Sequence, residues 1–178
     1  MSTKPVAVVV GVGPGTGAAL ARRFAEKYAV ALVARRAENL KTVADEIRAR
    51  GGEALEAPAD VTSASAVRAA FDAIRATLGA PEVLLYNAGS GTWGTIADVT
   101  PEQFESAWRT NAFGAFLCAR EVAADMVARG RGAIVFTGAT AGVKAPSRSR
   151  SAPRSSRRAA SRSRSRAISA RAACTSRG

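Results

Sequence analysis

The chain has 178 residues, 47% apolar and 6% aromatic, with 26 Lys and Arg against 14 Asp and Glu and no histidine. That is the length of about one domain, and the missing histidine excludes a Ser-His-Asp triad and any site built on imidazole ligands. The net charge of +12 is local: residues 145–178 hold 10 Arg, 10 Ser, no Lys and no acid, whereas residues 1–144 carry only +2.

Val6–Val10 is the longest early apolar run, too short for a signal core or a membrane span. Ending in Gly11, it predicts a strand buried on both faces. Gly15–Tyr28 spaces Ala18, Leu20, Ala21, Phe24 and Ala25 as a helix. Ala29–Ala34 predicts a second strand, closed by Arg35 and Arg36. Leu40, Val43, Ala44 and Ile47 mark a helix that Gly51 and Gly52 stop. Glu53–Ala57 is a short strand candidate. Ser63–Leu78 is a helix with Val67, Ala70, Phe71 and Ile74 on one face. Pro81 precedes a strand at Val83–Tyr86. Thr100, Pro101 and Glu102 supply a capping hydroxyl, a proline at the first position and a first-turn acid for one long helix reaching Ala128. Ala133–Thr137 is a fifth strand.

This alternation predicts an α/β fold: a three-layer, doubly wound parallel sheet with helices on both faces. After Lys144 the periodicity ends, and Ile168 is the single large aliphatic residue left. Such a segment buries too little apolar area to offset chain ordering, so the sheet is expected to be truncated after the fifth strand and followed by a disordered basic tail over 145–178. Cys118 and Cys174 make no disulfide framework, and the default compartment is a reducing cytoplasm.

Between the first strand and the first helix lies Gly11-Val12-Gly13-Pro14-Gly15-Thr16-Gly17. Gly11, Gly15 and Gly17 fit a sharp turn that brings backbone close to a pyrophosphate, with the helix N-terminus aimed at its charge. The plain alternative is a tight glycine turn. Arg35 and Arg36 follow the second strand, where an adenosine ribose lands in a dinucleotide fold. An arginine there accommodates a 2′-phosphate, which favours NADP(H) over NAD(H); a solvated charge pair is the alternative.

With these motifs the body resembles the short-chain dehydrogenase/reductase family. Asp60-Val61 after the third strand matches its adenine-contacting pair. Asn87-Ala88-Gly89 after the fourth matches its Asn-Ala-Gly motif. Asn111, in Thr110-Asn111-Ala112-Phe113-Gly114, matches its active-site asparagine. The resemblance covers residues 1 to about 144. It implies an incomplete Rossmann-like domain over 1–144, a nicotinamide dinucleotide partner and a carbonyl or alcohol substrate in the intact ancestor. It also implies a cofactor set of Gly11, Gly15, Thr16, Gly17, Arg35, Arg36, Asp60, Val61, Asn87, Ala88 and Gly89, with Asn111 catalytic. No metal or membrane partner is implied. Family oligomers use the long helix and the one after it, so a homo-oligomer is in doubt for this chain.

The chain departs from the family at its chemistry. The resemblance implies a serine that bonds the carbonyl, a tyrosine that donates the proton and a lysine that lowers the tyrosine pKa. Family register puts the serine at Ala139, with Thr140 as the nearest hydroxyl. The two tyrosines, Tyr28 and Tyr86, are followed four residues later by Leu32 and Ser90 rather than lysine, and no lysine follows Lys144. As written, the chain is expected to turn over poorly or not at all, leaving a non-catalytic dinucleotide-binding protein as the alternative function.

Residues 145–178 have the Ser, Arg, Ala and Pro content of GC-rich codons read out of phase, and a frameshift is expected. Joining the third base of each codon to the next two, Ala167–Arg177 permits Asp-Leu-Gly-Ala-Arg-Gly-(Leu/Met/Val)-His-Val-Ala, similar to the family stretch leading into its sixth strand. Arg154–Ser163 permits Lys-Phe-Ala-x-(Arg/Gly)-Gly-Leu-Ala-Gln, similar to the helix with the catalytic lysine. Four codons before that lysine, the Arg150–Ser151 junction permits no tyrosine. Taken instead as a selected feature, the tail would bind nucleic acid or other polyanions nonspecifically, in a salt-sensitive way and without aromatic side chains to stack bases.

Overall fold

A computed structural model of the protein describes residues 2–92 and 94–139, together with the backbone of strand residues 167–170. Strands β1 (Val6–Val10), β2 (Ala29–Val33), β3 (Ala54–Glu56), β4 (Pro81–Tyr86) and β5 (Ala133–Thr137) pair in parallel in the order β3-β2-β1-β4-β5. Helices α1 (Thr16–Ala25), α2 (Ala37–Ala49) and α3 (Ala64–Thr77) connect the first four strands, and α4 (Pro101–Trp108) and α5 (Gly114–Ala128) lie between β4 and β5. The parallel five-stranded sheet follows the strand–helix alternation read from the sequence.

Successive side chains of a strand face opposite sides, so β1 feeds two cores. Val6, Val8 and Val10 join Phe71 and Ile74 of α3 and Leu117 and Val122 of α5. Ala7 and Val9 join Ala18 and Ala21 of α1 and Leu40, Val43 and Ile47 of α2. All five β1 residues are buried. Alanine dominates the α1 face, which brings that helix close to the sheet and fixes where its N-terminus lies.

Local chemistry sets the helix starts. Ser63 caps α3 by accepting from Ala66 N–H at 3.3 Å. Thr100 and Gln103 form a reciprocal capping box at α4, with Pro101 in the first turn. Arg75 of α3 reaches α5: its Nε donates to Asp125 at 3.1 Å and its Nη2 to the Glu121 carbonyl, while Nη1 pairs with Asp72 at 2.8 Å.

One feature differs from the sequence expectation. The long helix from Thr100 to Ala128 is interrupted at Arg109–Phe113 by a π-helical turn, where Gly114 N–H reaches back to the Arg109 carbonyl. The parallel sheet ends at β5, as the sequence predicts, and a short antiparallel segment lies along its outer edge. Ala167–Ala170 forms β6, antiparallel to β5, with Phe136 opposite Ile168 and Thr137 opposite Ala167. The open edge of β5 supplies unpaired backbone groups that accept it. The rest of the expected disordered tail lies outside the described residues.

Replacing Arg75 with Met should remove the α3–α5 bridge. Because Arg75 is partly exposed, the expected loss is about 1–2 kcal/mol, read as a lower midpoint in urea unfolding with an unchanged slope.

Candidate dinucleotide site

The carboxyl ends of β1, β2 and β4 surround a cleft of about 250 Å³. The chain leaves β1 at Gly11, whose φ of +86° disfavours a side chain. Space forbids one too: an added Cβ would lie 2.3 Å from Ala88 N. Gly17 is equally constrained, since a Cβ there would lie 2.3 Å from the Gly11 carbonyl oxygen. The two glycines let the turn, α1 and the chain after β4 cross without side chains between them. Asn87 closes this crossing. Its N–H donates to the Val10 carbonyl at 2.8 Å and its Nδ2 to the Gly11 carbonyl at 3.1 Å.

Gly13 and Gly15 face open space. Gly15 precedes α1, which has no side-chain cap and no acid in its first turn. That end keeps backbone donors and the positive helix pole for an anion.

Arg35 and Arg36 stand exposed at the other end, after β2. Among the described residues neither forms an ion pair. Asn39, on the first turn of α2, shares this wall. The site residues read from the sequence did not include it, although its place one helical turn beyond Arg36 is a usable signal.

Asp60 lies between these ends. Its Oδ1 accepts from Thr62 N–H at 2.9 Å and Thr62 Oγ1 at 2.8 Å. The backbone bond is the main reason its carboxyl is held below the ordinary value, with Arg35 adding a smaller favourable charge. Asp60 does not cap α3; Ser63 does. Val61 is buried beside it and also lines the cleft.

The structure thus gathers Gly11, Arg35, Arg36, Asp60, Val61, Asn87, Ala88 and Gly89 on one cleft wall, with Gly13, Pro14 and Thr110 added. Gly15, Thr16 and Gly17 shape the entrance of α1 without lining the cleft. Asn111 lies just beyond, on the π turn. Its Oδ1 accepts from Ser90 N–H at 2.9 Å and its Nδ2 donates to the Ser90 carbonyl at 2.7 Å. Both edges of the amide therefore hold the strand-end loop after Gly89. Tyr86 donates its hydroxyl to the Thr110 carbonyl of the same turn, and burial raises its pKa. A Cβ on Gly114 would lie 2.6 Å from that hydroxyl and 2.9 Å from Val61, so α5 docks only through a glycine. Cys118 is buried, and desolvation pushes its thiol up to about 12.

The family model for short chain dehydrogenase matches residues 5–163. The chain belongs to that family. The match runs past Lys144 into the Arg/Ser-rich segment. The chain is 36% identical over 139 residues to a probable tetrahydroxynaphthalene reductase of Zymoseptoria tritici, covering 77% of this chain and 51% of that protein. It is also 36% identical over 146 residues to versicolorin reductase stcU of Emericella nidulans, covering 80% and 54%. Among solved structures, a variant of actinorhodin polyketide ketoreductase with NADPH superposes with a TM-score of 0.77 at 34% identity, covering 83% of this chain and 58% of that one. A metagenomic short-chain oxidoreductase in complex with NADP gives 0.75 at 34%, covering 79% and 64%. The chain spans about half the length of the curated relatives it matches. Among the described residues no helix is long and apolar enough to cross a membrane.

Asp60 yields a pH prediction. Its folded pKa lies below its unfolded one, so its stabilising contribution is complete above the unfolded value and is lost as pH falls through the folded value. Acid titration of stability should therefore show a limb below the ordinary carboxylate value of 3.8 that Asp60→Asn reduces. An identical limb in the variant would remove this role. Separately, Gly114→Ala should destabilise the fold by about 1–3 kcal/mol through overpacking, measured by thermal or urea unfolding.

Proposed function

We propose that the cleft binds NADP(H), and that the chain as written is a dinucleotide-binding member of this oxidoreductase family without turnover. The observation that carries the cofactor choice is the exposed Arg35–Arg36 pair at the end of β2, opposite the uncapped start of α1. In this reading the pyrophosphate lies against the α1 N-terminus and the 2′-phosphate against the arginines. Asp60 and Val61 border the adenine, and Asn87, Ala88 and Gly89 border the nicotinamide half. NADPH and NADP in the matched ketoreductase and metagenomic structures support the same choice.

When bound, the cofactor supplies a hydride to a carbonyl carbon, and the alkoxide so formed needs a proton donor. Among the described residues, neither tyrosine is placed to give one. The Tyr86 hydroxyl is bonded to Thr110. Tyr28 precedes β2, at the opposite end of that strand from the cleft. Ala139, at the family's serine position, has no hydroxyl. Asn111 acts here as a positioning residue for the Ser90 loop.

The 145–178 segment is best explained as an out-of-frame reading of a longer family member. Sequencing the coding DNA around codon 145 should reveal a missing or extra base, and the native product should exceed 18.3 kDa. A confirmed frame with an 18.3 kDa native product overturns that explanation.

Titration calorimetry should show NADPH binding more tightly than NADH. Arg35→Ala with Arg36→Ala should weaken NADPH by about 10–100-fold, the size of one or two lost charged hydrogen bonds, and leave NADH unchanged. Equal binding of both cofactors by the unaltered chain would overturn the assignment. Ketone-dependent NADPH oxidation should be absent; a rate abolished by Asn111→Ala would contradict the non-catalytic reading.

A further inference from the structure

Asn39 has a place in the cleft and no task in the fold. It stands half-buried on the first turn of α2, on the wall that also holds Arg35 and Arg36. Three residues after Arg36, it lies on the same side of the helix start. A polar side chain at the third helical position ordinarily reaches back to the residue that opens the helix, completing a capping box. α4 does this with Thr100 and Gln103. α2 does not. Arg36 opens it without a side-chain cap, and the Asn39 amide makes no hydrogen bond among the described residues.

The residue is nevertheless held in position. Leu40, next in the chain, is fully buried, and Val43 and Ala44 follow it into the same core. The backbone that carries Asn39 is therefore fixed before any ligand arrives. Glu38, the acid of that turn, is exposed and does not line the cleft. The two arginines are not equivalent. Arg35 is close enough to Asp60 to add a favourable charge to that carboxylate, whereas Arg36 opens α2, one turn from Asn39. A phosphate monoester offers three strong acceptor oxygens. A guanidinium fork can take two of them, and an amide N–H suits another.

We infer that Asn39 is a specificity-determining residue of the cleft, donating its Nδ2–H to the 2′-phosphate beside Arg36 and so contributing to the preference for NADP(H) over NAD(H). This rests on the NADP(H) reading above. A carboxylate of the same shape at this position would put a negative charge where the phosphate needs a donor, and would offer an acceptor to a free 2′-hydroxyl instead.

The test titrates the full chain and its Asn39→Asp and Asn39→Leu variants calorimetrically with NADPH, NADH and adenosine 2′,5′-bisphosphate, which carries the phosphate without the nicotinamide. The preference for NADPH over NADH should fall at least about tenfold in Asn39→Asp. It should fall by a smaller factor in Asn39→Leu, which removes the donor without adding charge. The bisphosphate should lose affinity in step with NADPH. Stability should not follow: an acid in the first turn favours a helix, so the thermal midpoint of Asn39→Asp without cofactor should stay level or rise. A merely structural asparagine would instead lower the midpoint and weaken both dinucleotides alike. That result, or an unchanged preference in Asn39→Asp, overturns the inference. If Arg35→Ala with Arg36→Ala abolishes the preference while Asn39→Asp keeps it, the NADP(H) reading stands and only the role of Asn39 falls. Equal binding of NADPH and NADH by the unaltered chain, or none of either, removes both.

Discussion

The site depends on one close crossing of backbone. The turn after β1 passes the chain leaving β4 at a distance that admits no side chain at Gly11, and α1 rests on the Gly11 carbonyl through Gly17. Asn87 ties the crossing with two hydrogen bonds to β1 and its turn. Because the approaches at Gly11 and Gly17 are backbone to backbone, they leave little freedom in where α1 starts. The uncapped helix start is thereby held against Gly11, which lines the same cleft as Asn87, Ala88, Gly89 and Arg35. A parallel sheet supplies the remaining condition: all its strands end on the same side, so loops distant in sequence meet there.

The π turn is a second constraint of the same kind. One additional residue per turn between α4 and α5 brings Asn111 onto Ser90 and leaves Thr110 to accept from Tyr86. Gly114 then allows α5 to approach Val61 and that hydroxyl. Such insertions recur at functional sites because they re-aim a side chain without ending the helix. Here the re-aimed side chain holds a loop, and the buried tyrosine is spent on the same helix. A residue type that could serve as an acid elsewhere is thus structural in this chain.

The sheet edge shows the opposite situation, in which the fold creates a demand that local pattern does not announce. Ile134 and Val135 of β5 pack, half-buried, against opposite cores, but its outer backbone row has no such neighbour. Four residues from a segment with no hydrophobic period meet that demand through main-chain groups. Main-chain pairing requires little of the side chains, so periodicity gave no sign of β6.

By itself the sequence determined the strand–helix alternation, the parallel sheet and the two-sided core, because buried strands and amphipathic helices leave periodic apolar patterns. It also determined the capping hydroxyl at Thr100 and the glycine turn, whose chemistry is local, and it marked Asn87, Asp60, Arg35 and Asn111 as members of one family pattern. Only the tertiary structure decided how those residues are used. It put Asp60 on Thr62 and Tyr86 on Thr110. It added Asn39 to the cleft, broke the long helix at Arg109–Phe113 and gave β5 an antiparallel neighbour. Each of these depends on which distant groups come within about 3 Å, the reach of a hydrogen bond, and no linear spacing carries that distance.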